Sequence, residues 1–344
     1  MSSIEEIPNR VELASKQELE RKINSIERAF LESELERSRH HHESMNAIVE
    51  SLEILKEKPV LLVNAADKAT MGQDWISSID PELLNYFVKI QTGQNYSKEN
   101  FDYKLFVGQI FEYMFGFKPD DQRFKKVALA HGGKLPDDPS KYSLIIGTGG
   151  EINDFETQPK YERIRKEIRD FFAKAIEARV PFAVTCATHQ ILGQLQYEKN
   201  GGYGSLVQNL QDKNGQPLTE SGLVQFSLNE AGRKSFLTSD LDENFYLMSN
   251  HGQYLRDLPP DAEALAFNDV CSTQIIQYKK NNRVYGIGFQ AHPEITNAIL
   301  MLMQRYERSH MIKKGLQPPA DIEVNTTPAY TVREKVFPKI FSLL

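Results

Sequence analysis

Two stretches of this 344-residue sequence run from apolar residues straight into groups that could do chemistry. The first is Val180-Pro-Phe-Ala-Val-Thr-Cys186-Ala-Thr-His-Gln190, after which Ile191, Leu192 and Leu195 look like the start of a helix. A cysteine at a strand-to-helix turn is pushed out at the carboxyl edge of a sheet, and the N–H groups that follow it point toward a developing oxyanion. Taken alone, Cys186 reads equally well as a core residue, because free cysteines are among the most buried side chains. The second stretch, Gly286-Ile-Gly-Phe-Gln-Ala-His292-Pro-Glu294, ends another apolar strand in an imidazole and a carboxylate. A thiol needs a base to become a competent nucleophile, and the imidazole needs an acceptor to fix its tautomer. Cys186, His292 and Glu294 therefore form a candidate triad, on the condition that two strand ends far apart in the chain meet.

The elements that must produce that meeting are legible as short apolar runs. Residues 60–63, 126–130, 144–146, 180–185 and 284–289 read as strands buried on both faces. Between the third and fourth, Ile164, Ile168, Phe171, Phe172, Ala175 and Ile176 keep helical spacing. Strand, helix and strand alternate, as in a parallel sheet with crossover helices. Ahead of them the chain has no Gly or Pro between Pro8 and Pro59 and is rich in Glu, Lys, Arg and Leu, which predicts helix. Leu19, Ile23, Ile26 and Phe30 line one helix face, and Met45, Ile48, Leu52 and Leu55 another. Residues 36–44 offer no apolar anchor, which predicts either a solvated continuation or a turn into a helical hairpin. The triplet His40, His41 and His42 falls there; adjacent helical positions point about 100° apart and cannot chelate one metal, so solvated surface is expected. Residues 91–124 are aromatic and ambiguous, with an inserted helix around Tyr103 to Phe115, and a proline-bearing tail after Gly315 is expected on the domain surface. The expected organisation is an N-terminal helical extension over 1–58, an α/β domain over 59–314 and a C-terminal extension over 315–344.

The two chemical segments resemble the signature motifs of the class I glutamine amidotransferases, a cysteine elbow reading approximately G-x-C-x-G-x-Q and an H-P-E motif. Cys186, Gln190, His292, Pro293 and Glu294 stand at the matching positions. Residues 145–151, which include Gly149 and Gly150, resemble the family's glycine-rich oxyanion loop. Residues 247–254, which include Ser249, Asn250, His251 and Gly252, resemble the segment that holds the amino-acid end of glutamine. That last segment is most similar to the small subunit of carbamoyl phosphate synthetase and the amidotransferase part of GMP synthase. The resemblance covers roughly residues 59 to 310. It implies a flavodoxin-like, mainly parallel sheet with helices on both faces. It also implies that Cys186 attacks a side-chain amide, that His292 moves protons and that Glu294 orients His292. The N–H of Ala187, with one from Gly149 or Gly150, would hold the oxyanion, and Gln190 with Ser249, Asn250, His251 and Gly252 would position substrate. His251 reads as readily as a satisfied loop histidine. One departure stands out: the two elbow glycines are here Val184 and Thr188, both β-branched. Branched side chains need room beside the nucleophile, so the helix must stand off or the pocket be reshaped.

Bulk properties narrow the alternatives. A net charge of −6 gives no basic footprint, so nucleic acid is not the expected partner. The start Met1-Ser-Ser-Ile-Glu-Glu lacks a signal-peptide pattern, and no run approaches the roughly 20 apolar residues of a membrane helix. A cytoplasmic protein without a membrane partner is expected. Two cysteines do not make a disulfide framework, and Cys271 has no basic neighbour in sequence, so it reads as packing. With no dinucleotide fingerprint, phosphate loop or zinc spacing, no cofactor or metal is implied. The expected function is a glutamine amidotransferase-like enzyme that hydrolyses a glutamine-type (γ-glutamyl) amide through a Cys thioester. Ammonia would be released or passed to a separate acceptor synthetase. A γ-glutamyl hydrolase or peptidase and an acyltransferase share the triad. The reading from a different class is a noncatalytic binding or regulatory subunit, with the N-terminal helices as its partner surface or as a homo-oligomer contact.

Overall fold

A computed structural model describes residues 25–66, 81–96, 103–150, 152, 158–212, 214–298, 301 and 331–344. The expectations for Leu19 and Ile23, and for the tail around Pro318, Pro319 and Pro328, lie outside them. The strands are β1 (Val60–Asn64), β2 (Phe124–Ala128), β3 (Leu144–Gly147), β4 (Phe182–Thr185), β5 (Val207–Asn209), β6 (Glu220–Leu228), β7 (Asn244–His251), β8 (Gln253–Leu255), β9 (Ala262–Phe267), β10 (Ile275–Lys280) and β11 (Arg283–Phe289). Nine of them form one sheet in the order β2-β1-β3-β4-β11-β10-β9-β6-β7, while β5 and β8 pair separately. From β2 to β11 the neighbours are parallel. Beyond β11 they are antiparallel. The parallel half has the flavodoxin-like order, in which ligands bind outside the carboxyl ends of the strands.

Because side chains alternate along a strand, each buried strand feeds two cores. Val60 and Leu62 of β1, with Ala183 of β4, face one core; Leu61 and Val63, with Phe182 and Val184, face the other. The second core is closed by helix α4 (Pro159–Glu177), through Ile164, Ile168 and Phe172, and by α5 (Cys186–Lys199), through Ile191 and Leu192. Fully burying side chains of this size contributes roughly 1.5–3 kcal/mol each.

The first core is covered by α1 (Ser25–Ser51), α3 (Tyr103–Met114) and α6 (Thr331–Ile340), with α2 (Pro81–Thr92) packed against α1 and α3. Helices therefore cover both faces, as the flavodoxin-like expectation requires. At the C-terminal end, Val332, Val336, Phe337 and Ile340 are buried at helical spacing, so residues 331–344 sit in the core and not on the surface. Met45 and Val49 of α1 are spent on the same core.

The middle of α1 overturns two expectations. The helix runs unbroken from Ser25 to Ser51, with no hairpin. Nor is its apolar-poor stretch solvated all round: Glu36, Arg39, His40, Glu43 and Ser44 are exposed as expected, but Ser38 and His41 are buried. The reason is that α3 ends against it with unsatisfied carbonyls, as every helix does. His41 Nε2–H donates to Met114 O at 2.9 Å and His42 Nδ1–H to Tyr113 O at 2.8 Å. The His42 ring also stacks on Tyr113 at 4.1 Å. Burial, with Arg333 nearby, pushes His41 down to about 3, so it sits there as a neutral donor.

Candidate active site

Strand β4 arrives at Thr185 in extended backbone and α5 begins at the next residue. The reversal is absorbed at Cys186, whose φ of +46° lies in the left-handed region. For a non-glycine residue that conformation costs about 1–3 kcal/mol and persists only where the surroundings impose it. Here it lifts the side chain over the carboxyl edge of the sheet, at the N-terminus of α5.

Strand β11 lies beside β4 in parallel register, Phe289 against Thr185, so the residues that follow each strand emerge side by side. His292 is held from two directions. Its backbone N–H donates to Met248 O of β7 at 2.8 Å, and its Nδ1–H donates to Glu294 Oε1 at 2.8 Å. That leaves Nε2 for the sulfur. Gly149 marks how closely the parts approach: a Cβ on it would stand 2.8 Å from His292 Cε1 and 2.9 Å from Cys186 Cβ. Burial opposes charge on His292, but the Glu294 carboxylate and the hydrogen-bonded Cys186 sulfur outweigh it and hold the imidazole well above the ordinary histidine value. Cys186, His292 and Glu294 thus form one connected array.

The expected oxyanion donors separate. Gly149 N–H donates to Thr185 Oγ1 at 3.0 Å, so it is engaged and not directed at a substrate oxygen. Gly150 and Ala187 both line the cavity at Cys186. That cavity has a volume of about 390 Å³. Gln190, Asn250, His251 and Gly252 line it as well; Ser249 does not, being wholly buried on β7 beneath it. Gln190 Nε2 donates to Gln253 O at 2.8 Å and to Gln290 Oε1 at 3.1 Å. The ring of His251 is occupied internally, by Gln253 O at Nδ1 and by Glu220 at Nε2, both at 2.9 Å. Glu220 is buried, which raises a carboxyl, yet its bonds from His251 and Asn268 outweigh burial and keep it below the usual range.

Part of the wall escaped sequence reasoning. Asn209, Leu210, Pro217, Leu218 and Thr219 come from β5 and the loop between β5 and β6. No motif marks them; the only available signal was their position ahead of residues 247–254. A depression of about 510 Å³ near Lys58, Lys125 and Tyr142 lies at the amino ends of the parallel strands, away from this chemistry.

The room for the branched elbow comes from neighbouring strands. Val184 pairs with Gly147 of β3 on one side and Gly288 of β11 on the other. A Cβ on Gly147 would meet Thr188 Cγ2 at 2.4 Å and Val184 Cγ1 at 3.1 Å. A Cβ on Gly288 would meet the ring of buried His189 at 2.2 Å. The helix does not need to stand off, because Gly147 leaves the space that Thr188 and Val184 fill, while Gly288 leaves that of the His189 ring. Cys271 is buried beside Thr273, and burial pushes its thiol up to about 11. Among the described residues no group of His, Cys, Asp and Glu could hold a metal ion, and no helix is long and apolar enough to cross a membrane.

No model of a known protein family and no curated protein matches this sequence. Solved structures do. The crystal structure of SMU.1228c shares 20% identity over 68% of this chain and 91% of its own, with a TM-score of 0.50. A glutamine amidotransferase from Thermotoga maritima shares 15% identity over 83% of this chain and 96% of its own, also with a TM-score of 0.50. A glutamine amidotransferase from Methylobacillus flagellatus is similar at 17% identity, over 84% of this chain and 95% of its own, with a TM-score of 0.46. At these identities the likeness is one of fold: the chain has the glutamine amidotransferase fold that its motifs imply.

Proposed function

We propose that this chain is a cysteine-dependent amidohydrolase of the glutamine amidotransferase kind, acting on a glutamine-type amide. One observation carries the reading: Cys186 is held at positive φ on a strand-to-helix elbow, beside an imidazole whose far nitrogen is bonded to Glu294. In the forward step the thiol proton passes to His292 Nε2 as sulfur bonds to the amide carbon. The oxygen of the tetrahedral adduct is held by the N–H groups of Gly150 and Ala187, each such donor being worth about 2.7–4 kcal/mol of barrier. His292 returns the proton to nitrogen, the C–N bond breaks and ammonia leaves a γ-glutamyl thioester. Water then adds with His292 as base, the C–S bond breaks and the free acid departs. Glu294 keeps the imidazole in the tautomer that presents Nε2 to sulfur. Gln190, Asn250, His251 and Gly252 shape the cavity for the rest of the substrate.

Ammonia leaves to solvent or to a separate acceptor synthetase, and a reducing cytoplasm suits a chain that works through a free thiol. The test measures ammonia released from glutamine and from a panel of γ-glutamyl amines, with Cys186→Ala as control. Release lost in the variant supports the assignment. No release by the wild type across the panel would favour a noncatalytic binding subunit. A diazo-ketone glutamine analogue should add to Cys186; addition to Cys271 instead would remove Cys186 from its role.

A further inference from the structure

The loop that follows β3 is secured by hydroxyl groups from both sides of the nucleophile. Thr188 Oγ1 donates to Thr148 O at 2.6 Å, and Thr185 Oγ1 accepts from Gly149 N–H at 3.0 Å. Thr148 C=O and Gly149 N–H belong to a single peptide unit, which is planar and turns as one body. Its two ends are therefore gripped by the residue just before Cys186 and the residue two after it. All four groups are buried or nearly so: Thr148 and Thr185 are 2% and 4% exposed, and Thr188 is fully buried. Turning this peptide would break two buried hydrogen bonds at once, each of which leaves an unsatisfied group.

The gripped unit sits where the chemistry is. Gly149 is wedged against Cys186 and His292, and the next peptide N–H belongs to Gly150, which lines the cavity. Gly150 itself lies on the backbone of Ala65, where a Cβ would stand 2.7 Å from the carbonyl oxygen. With that wall behind it, the direction of its N–H follows from the orientation of the preceding peptides. A second device acts on the same stretch: Thr148 Oγ1 accepts from Ala65 N–H at 3.0 Å.

We infer that Thr185 and Thr188 are positioning residues, a two-hydroxyl clamp that sets the Gly149–Gly150 loop and aims the Gly150 N–H at the oxyanion. This rests on the amidohydrolase reading and deepens it. It also gives the departure at Thr188 a purpose: glycine there would leave room but supply no hydroxyl, and the missing space is returned by Gly147 on the neighbouring strand.

The test replaces each hydroxyl by a methyl of similar shape, Thr185→Val and Thr188→Val, with Thr185→Ser and Thr188→Ser as conservative variants. Two reactions of Cys186 are compared: amide hydrolysis, which passes through an oxyanion, and alkylation by iodoacetamide, a displacement at carbon that does not. The valine variants should lose about tenfold to a hundredfold in kcat with KM changed less than about twofold, as misplaced catalytic groups do. Alkylation rates should stay at the wild-type value, and the serine variants should recover most of the kcat. Wild-type kcat in both valine variants would overturn the inference. So would a parallel fall in alkylation, which would mean a general disturbance of the elbow. A wild type that releases no ammonia would sink the amidohydrolase reading instead. The clamp is then judged by amide hydrogen exchange across residues 145–150: faster exchange in the valine variants supports it, and unchanged exchange removes it.

Discussion

The methyl group of Thr188 occupies the space that a side chain on Gly147 would need: a Cβ built there would stand 2.4 Å from Thr188 Cγ2. One residue lies on a helix and the other on the strand beside the elbow, 41 positions apart in number. Together they show how a β-branched elbow is accommodated without moving the nucleophile.

The pairing predicts a coupled stability effect. Gly147→Ala should destabilise the protein by about 1–3 kcal/mol, the usual range for overpacking a close-packed core. Thr188→Ser deletes the clashing methyl and keeps the hydroxyl. Denaturant melts of the two single variants and the double should give a double less destabilised than their sum; strict additivity would show that the two residues do not compete for space.

Glu294 should act through the basicity of His292. In a Cys186→Ser background, replacing the carboxylate by Glu294→Gln removes a group that raises the imidazole, so His292 should lose its proton at lower pH. NMR titration of the ring reads this directly. In the otherwise wild-type enzyme the same change should lower kcat at least about tenfold, since the amide can turn its N–H2 toward Nδ1 and impose the wrong tautomer. An unmoved titration would detach Glu294 from the array.

His41 predicts acid sensitivity far from the cavity. Its folded value is pushed from 6.5 down to about 3 by burial first, with Arg333, His42 and His40 acting the same way, while its bond to Met114 O opposes the shift. The unfolded chain therefore takes up the proton first. The sign follows: this contribution is fully present above 6.5 and is lost as pH falls from there toward about 3. Stability measured by urea unfolding from about pH 8 to about pH 4 should fall less steeply in His41→Gln than in the wild type. The variant should start near the wild type at high pH, because its amide N–H can still donate to Met114 O. Parallel slopes would refute the assignment.

Much of the parallel half is legible in the residues. Runs such as Val60–Val63 and Leu144–Ile146 are continuous because strands buried on both faces carry no polar side. The antiparallel half is not. Strand β6 carries Glu220, Ser221, Gly222 and Gln225, with burial that is only partial along most of its length, so neither alternation nor a continuous run announces it. The wall that β5 adds to the cavity is hidden for the same reason: a three-residue strand leaves too short a pattern to read.

The sequence alone determines the chemical types and their local settings: a cysteine after an apolar strand, a histidine and a glutamate after another, and helices of period 3.6 between continuous apolar strands. These depend on neighbours a few residues away, and backbone geometry converts them into structure directly. Tertiary structure decides the rest. It spends the Gly149 N–H on Thr185 and leaves Gly150 to the cavity, sets His41 and His42 against the end of another helix, and sets Gly147 opposite the branched elbow. Each is a contact between residues far apart in the chain, settled by strand register and close packing, and no local pattern specifies which distant atoms will meet.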